Sequence, residues 1–350
     1  MLNTLFDPYL RFAFWTGIGA VALAFLAAGL IVHLRFALVR RTRREQAFLA
    51  VWRPILVNAL VSAPDTAPPA LAAADRVFFL SLWVQLQESI RGTESTGLHH
   101  VAYRVGCDQF ARALLQDGNV AEKLLAILTL GHLRDRSAWL PLSRLAREKE
   151  PIRSFCAMNA LVKIDAESAA AELTALLLER NDWPIARIAA LLQGVQAAFA
   201  GPLLRAAEHA EGRPLIRTLR FIEALRLQLP PPMLARLLSN TQPAEIIIGA
   251  LRVTLVPGLL PQVRALLGHP DWRIRVQACK VLGRLGERAD IVPLSKLLSD
   301  REWWVRYCAA CALIGMPFVG RPQVEILRSA VTDPYARDIL EQVLFEKAGS

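Results

Sequence analysis

Lysine and aromatic side chains are scarce in this chain of 350 residues. Lysine stands only at positions 123, 149, 163, 280, 296 and 347, so arginine supplies most of the 41 basic residues. That bias, with the alanine richness, points to a GC-rich genome as much as to phosphate chemistry. Aromatics make up 7% of the chain, so its hydrophobicity rests on Leu, Ala, Val and Ile, which favours helices over sheets. The five cysteines, Cys107, Cys156, Cys279, Cys308 and Cys311, are odd in number and scattered. They make a poor disulfide framework and fit a reducing compartment. No Ser/His/Asp order, Walker loop, dinucleotide glycine pattern or HExxH occurs, so nothing in the sequence supports an enzyme, and no cofactor is expected.

What is abundant is apolar surface: 54% of residues are hydrophobic and 21% charged. Disorder is excluded for the bulk of the chain. Its length exceeds what one core usually organises, which leaves two domains or an array.

From Phe12 to Leu34 the chain runs 23 residues without Asp, Glu, Lys or Arg. At about 1.5 Å per residue this helix reaches about 34 Å, enough for a hydrocarbon core of about 30 Å. Signal peptides place basic residues before a shorter apolar core. Here Arg35, Arg40, Arg41, Arg43 and Arg44 follow the span, while only Arg11 precedes it and Asp7 offsets that charge. The positive-inside rule therefore puts the short amino terminus outside and everything after the span in the cytoplasm. Ala20, Ala24 and Ala28 recur at the spacing of a helix-packing face, although alanine is common throughout.

The net charge of +10 divides evenly, with +5 in residues 1–44 and +5 in the remaining 306. Anionic headgroups account for the Arg cluster. The charge then ceases to argue for nucleic acid.

Residues 46–61 form a second apolar stretch around Trp52, Arg53 and Pro54, read as an interfacial or docking helix kinked or begun at Pro54. Pro64 to Pro69 reads as a stiff linker, and 77–92 as a helix closed by Gly92, with a loop from Thr93 to Gly97. The expected layout is an outer terminus at 1–11, a transmembrane helix at 12–34, a basic juxtamembrane and interfacial helix at 35–63, a linker and adaptor helix at 64–100, and a repeat array at 101–350.

Self-similarity defines that array. Residues 269–286 and 299–315 share an acidic turn, a β-branched residue followed by Arg, Ala four residues later and Leu eight later. With the β-branched residue as anchor, the frame recurs at Val120, Ile152, Ile185, Ile216, Ile247, Ile274 and Val305, and weakly at Ala336. Successive intervals are 32, 33, 31, 31, 27, 31 and 31. Positions four and eight after an anchor share a helix face, and a further helix fits between anchors, as at 137–147, 169–178, 231–239, 259–268 and 290–299. Each repeat is a helical hairpin too small to bury its own face alone. The fold class is all-α, an α-solenoid of about seven to eight hairpins.

The frame of Asp271, Ile274, Arg275, Ala278, Val281, Leu282 and Gly283 resembles the short HEAT repeats of bacteria, including the phycobilin-lyase type. The layout of one span, an Arg cluster, a Trp-Arg-Pro helix and repeats is similar to single-span HEAT proteins of proteobacteria, some of which accompany membrane glycosyltransferases in polysaccharide export. The resemblance implies a protein-binding surface at the inner membrane of a bacterium, without naming the partner.

Candidate residues fall into three sets. Arg153, Arg217, Arg275, Arg306 and Arg337 follow their anchors, and Asp271 and Asp333 lie four residues before Arg275 and Arg337. Helix-start acids can cap amides and pair with those arginines, which makes a structural ladder. Trp183, Trp272, Trp303 and Trp304 recur near the turns, where packing between hairpins is the simplest role. With Arg220, Arg226, Arg252, Lys280 and Arg284 they could also line a partner surface. The membrane-boundary cluster, Arg35 to Arg44, is the third set. Cys308 and Cys311 form a CxxC, but lie within a repeat helix and lack a second pair. His99, His100 and Cys107 are too loose a grouping to complete a metal site.

The resulting expectation is a non-catalytic, membrane-anchored scaffold that binds another protein at the cytoplasmic face. Similarity to HEAT-like DNA glycosylases, which use a basic, Trp-bearing face, implies nucleic-acid binding or base excision as the alternative. A chromophore-lyase activity is the third reading.

Overall fold

The computed structural model describes residues 8–61, 67–89 and 96–348. Asp7 and the rest of the segment before residue 8, the start of the linker at 62–66, and Gly92 with the first part of its loop lie outside the described residues, as do the side chains of Arg11 and Arg41. All regular structure among the described residues is helical. The chain divides into two compact units between Ala138 and Trp139.

The first unit contains α1 (Pro8–Val61), α2 (Arg76–Ser89), α3 (Thr96–Arg104), α4 (Cys107–Asp117) and α5 (Val120–His132). Helix α1 has two parts with different surroundings. Phe14–Phe36 is apolar, exposed all round and long enough to cross a membrane. Further along the same helix, Phe48, Trp52, Leu56 and Ala59 recur on one face and are buried. There α1 packs on α2 and α3, with the Trp52 ring edge-on to Phe79 at 4.9 Å.

The helix expected to kink or begin at Pro54 is thus the continuation of α1. Proline removes one amide donor, but the buried face on both sides of Pro54 holds the helix together. Among the basic residues after the apolar stretch, Arg44 pairs with Asp75 at 2.7 Å and Arg40 lies over the Phe36 ring.

The second unit contains α6 (Trp139–Ala146), α7 (Pro151–Ile164), α8 (Ala166–Glu179), α9 (Ile185–Leu191), α10 (Gln196–His209), α11 (Gly212–Ala224), α12 (Pro231–Leu237), α13 (Ala244–Val253), α14 (Leu260–Ala265), α15 (Trp272–Leu285), α16 (Ile291–Lys296), α17 (Trp303–Gly315), α18 (Arg321–Ala330) and α19 (Pro334–Ala348). Helices pair into successive hairpins, and α11, α13, α15, α17 and α19 stack each on the next. This is the α-solenoid arrangement, in which each hairpin buries its apolar stripe against its neighbours.

Helix starts follow from local chemistry. Asp165 and Asp271 accept amide hydrogen bonds at the starts of α8 and α15, and prolines occupy the first turns of α7 and α12, where the missing N–H costs nothing.

The register of the first repeats differs from the sequence frame. Ile274, Val305 and Ala336 are buried, but Val120 is 68% exposed and Ile152 64% exposed. In α7 the inward face is instead Ser154, Met158, Leu161 and Val162. The packing position has moved two residues along the chain, while the rhythm of hairpins continues.

Candidate functional site: a basic groove on the stacked helices

Residues three or four apart share one side of a helix. On α11 these are Ile216, Arg220 and Glu223; on α13, Glu245, Ile248 and Arg252; on α15, Val276, Lys280 and Arg284. Stacking brings these sides together as adjoining cavities. One of about 640 Å³ is lined by residues including Arg252, Lys280, Arg284, Tyr307 and Cys308. The next, about 320 Å³, shares Glu223, Arg252 and Gln277 with it and adds Arg220 and Trp272. A third, about 640 Å³, shares Ile216 and Arg220 with the second and adds Arg213 and Arg217. The shared walls make one groove.

Two glycines set its depth. A Cβ on Gly283 would lie 2.9 Å from the Ala312 backbone, and one on Gly249 would lie 2.9 Å from the Leu219 side chain. Both distances are below van der Waals contact, so α15 meets α17, and α13 meets α11, more closely than a side chain permits.

Of the residues nominated for a partner surface, Arg220, Arg252, Trp272, Lys280 and Arg284 line this groove. Arg226 occupies a left-handed turn after α11, with φ +54°, and lines none of these three cavities. Trp303 and Trp304 join Tyr307 at the start of α17, with Trp303 stacked on the Tyr307 ring at 5.2 Å. The Tyr307 hydroxyl donates to Glu346 at 2.7 Å, and that hydrogen bond is the main cause that raises its pKa.

Trp183 is a correction to the surface set. It is 1% exposed, packed edge-on to Phe155 and covered by the Arg180 guanidinium at 4.5 Å, so it serves packing inside the solenoid. Glu223, Arg213 and Tyr307 were not singled out in the sequence. The first two share the side of α11 that carries Arg220, so helical spacing from Arg220 was the available signal.

The ladder arginines bind mostly to backbone oxygens. Arg275 donates to the carbonyls of His269 and Pro270, at 2.8 and 3.1 Å. Arg306 does the same to Asp300 and Arg301, at 2.8 and 3.3 Å, and Arg337 to Val331 at 3.1 Å. Arg217 donates to Leu177 and Arg180 carbonyls, and Arg153 pairs with Glu148 at 3.0 Å.

The expected pairing of Asp271 with Arg275 is replaced. Asp271 pairs with Arg273 at 2.7 Å, while Arg275 forms a two-pronged bridge to Asp300 of the next hairpin, at 2.9 and 2.7 Å. Asp333 caps the amide of Tyr335 at 3.0 Å. The exchange at Asp271 has a steric basis, because Arg273 reaches back to its own cap, whereas Arg275 faces the turn between hairpins.

Cysteine chemistry is unfavourable. Burial pushes the thiols of Cys107, Cys279 and Cys308 up, away from the thiolate form that a nucleophile or metal ligand needs. No metal-binding group of three His, Cys, Asp or Glu side chains occurs among the described residues.

The family model for HEAT repeats matches residues 231–314 and 260–344, the stretch that holds α13, α15 and α17. No curated protein matches the chain. Among solved structures, the crystal structure of an engineered protein aligns over 84% of this chain and 98% of its own, at 14% identity and a TM-score of 0.35.

Proposed function

We propose that this protein is a non-catalytic scaffold, tethered to the bacterial inner membrane by one transmembrane helix, with its repeats in the cytoplasm and its groove open to a protein partner. The observation that carries the reading is the division of α1 into an exposed apolar stretch, Phe14–Phe36, and a packed stretch, Phe48 to Ala59. A helix apolar on every side has no stable place in water, and a bilayer supplies the missing solvent. The arginines that follow set the orientation.

HEAT repeats commonly present protein-binding surfaces, and the groove supplies polar anchors on an apolar floor. A membrane complex of the glycosyltransferase or export type is the partner class implied by the layout. The glycosylase and lyase readings gain no support from the residues in the groove, where glutamates interleave with the cations.

Alkaline carbonate extraction with protease treatment of spheroplasts tests the reading. The chain is expected to stay with the membrane pellet, and its repeats to resist protease until the membrane is opened. Release by carbonate would remove the anchor, and digestion in intact spheroplasts would reverse the orientation.

A further inference from the structure

The scaffold reading leaves the chemistry of the partner open, and the groove narrows it. Cations recur from one hairpin to the next: Arg213 and Arg220 on α11, Arg252 on α13, and Lys280 and Arg284 on α15. All five are exposed. Arg252 stands 3.8 Å from Glu223, and the other four make no ion pair among the described residues. Arg273, which also lines the second cavity, is by contrast paired with Asp271 and Glu245. The five cations outnumber the three glutamates that share the groove with them, Glu179, Glu223 and Glu245, and a cleft with such an excess attracts anions into it. Between them the floor is apolar, with Ile216, Ile248 and Val276, and Trp272 forms part of the wall.

Spacing selects the form of the anion. Packed helices lie about 8–10 Å apart, and a peptide in the polyproline II form advances about 3.1 Å per residue with three residues per turn, so side chains three apart share one face about 9 Å apart and match one helix step. We infer that the groove binds an acidic segment of a partner protein in the extended polyproline II form, about nine residues long, with a carboxylate at every third position and apolar side chains between. Arginine meets such carboxylates through two parallel hydrogen bonds. The inference rests on the scaffold reading, since it supplies the partner that reading requires.

Nucleic acid is the competing anionic polymer. Duplex DNA carries one charge per about 1.7 Å of axis, a density that would press phosphates against Glu223 and Glu245, both of which line the groove. A polyproline II peptide with carboxylates about 9 Å apart on one face meets the cations and passes the glutamates with neutral residues, whose backbone N–H groups can donate to them.

Fluorescence anisotropy with the full-length protein in non-ionic detergent tests this. The probe is a labelled peptide of about ten residues with Glu at every third position and Thr and Leu spacers. Comparators are the same peptide with Gln for Glu, a peptide of equal composition with its Glu residues clustered, and a single-stranded oligodeoxynucleotide of equal length. The spaced peptide is expected to bind at least about tenfold more tightly than each comparator. The double variant K280E/R284E should weaken it about tenfold or more, with an unchanged circular dichroism spectrum, whereas R288E/R301E, an equal charge change on exposed residues that line none of the three cavities, should leave it unaffected.

Tighter binding of the oligonucleotide, equal binding of the Gln peptide, or indifference to K280E/R284E would overturn the inference. If the spaced peptide fails while a protein still cross-links to position 280 in cells, the acidic-segment inference falls and the scaffold reading stands. If both fail, both fall.

Discussion

Arg275 and Asp300 form a buried, two-pronged ion pair between consecutive hairpins, with Nε to Oδ2 at 2.9 Å and Nη2 to Oδ1 at 2.7 Å. The same aspartate caps the amide of Glu302 at 2.9 Å, and its backbone carbonyl accepts from Arg306. One residue therefore joins two repeats and starts the next helix. Removing one member leaves the other charge buried and unpaired, which costs about 3–5 kcal/mol. Asp300→Ala and Arg275→Met should each lower the urea midpoint accordingly, and the double variant R275M/D300A should cost less than the sum of the two, because it removes both buried charges and orphans neither. Small effects of both single variants would place the stability of this junction elsewhere.

Asp290 makes the neighbouring junction pH-dependent. The carboxylate is fully buried and held by Arg264 and by the backbone N–H of Glu287. Burial pushes its pKa up, but the hydrogen bonds from Arg264 and Glu287 and the Arg264 charge outweigh it and leave the pKa lowered. A carboxylate depressed in the folded state stabilises the fold above its unfolded pKa of about 3.9, and that contribution is lost as pH falls through the folded value. Asp290→Asn should therefore be less stable than the parent at pH 7, by about 1–3 kcal/mol, with the gap closing in acid. A gap independent of pH in chemical denaturation would contradict this origin.

Close approach at Gly283 gives a steric test. Its missing Cβ would stand 2.9 Å from Ala312 Cα and 3.0 Å from Ala312 Cβ. Gly283→Ala should destabilise by about 1–3 kcal/mol despite the better helix propensity of alanine. Adding Ala312→Gly removes only the contact with Cβ, so rescue in thermal denaturation should be partial. Full rescue, or a stabilising Gly283→Ala, would mean that the helices separate freely.

The two parts of α1 should respond differently to substitution. Trp52 is buried against Phe48 and Phe79, and Trp52→Ala should cost about 3–5 kcal/mol in the detergent-solubilised protein. Trp15 is 68% exposed, and Trp15→Ala should leave unfolding of the repeats unchanged. A large effect at Trp15 would show that this part of the helix packs on protein.

The helical repeat was legible because an apolar stripe must recur wherever hairpins stack, and Ile274, Val305 and Ala336 kept that stripe in phase. The inward register of the first repeats was not, since β-branched residues suit both a first exposed turn, as at Ile152, and a buried one, as at Ile274. Partners across repeats were also hidden. Asp271 lies four residues before Arg275, a local spacing that invites pairing, whereas Asp300 lies 25 residues after it and becomes a neighbour only through stacking. Trp183 looked like its counterpart Trp272 because both follow an aspartate. Arg180 and Phe155 enclose the first, while the second opens on the groove. Four of the five groove cations, Arg220, Arg252, Lys280 and Arg284, could be named one at a time from sequence, but their continuity depends on the glycine contacts that bring the helices together.

A photoreactive amino acid placed at position 280 in intact cells tests the scaffold claim most directly. The expected result is a discrete protein adduct in the membrane fraction, absent when the probe stands at position 288 and lost on Arg284→Glu and Arg220→Glu. Adducts that are the same from both positions, adducts of nucleic acid, or the lack of any adduct at 280 would contradict a protein-binding groove at the membrane.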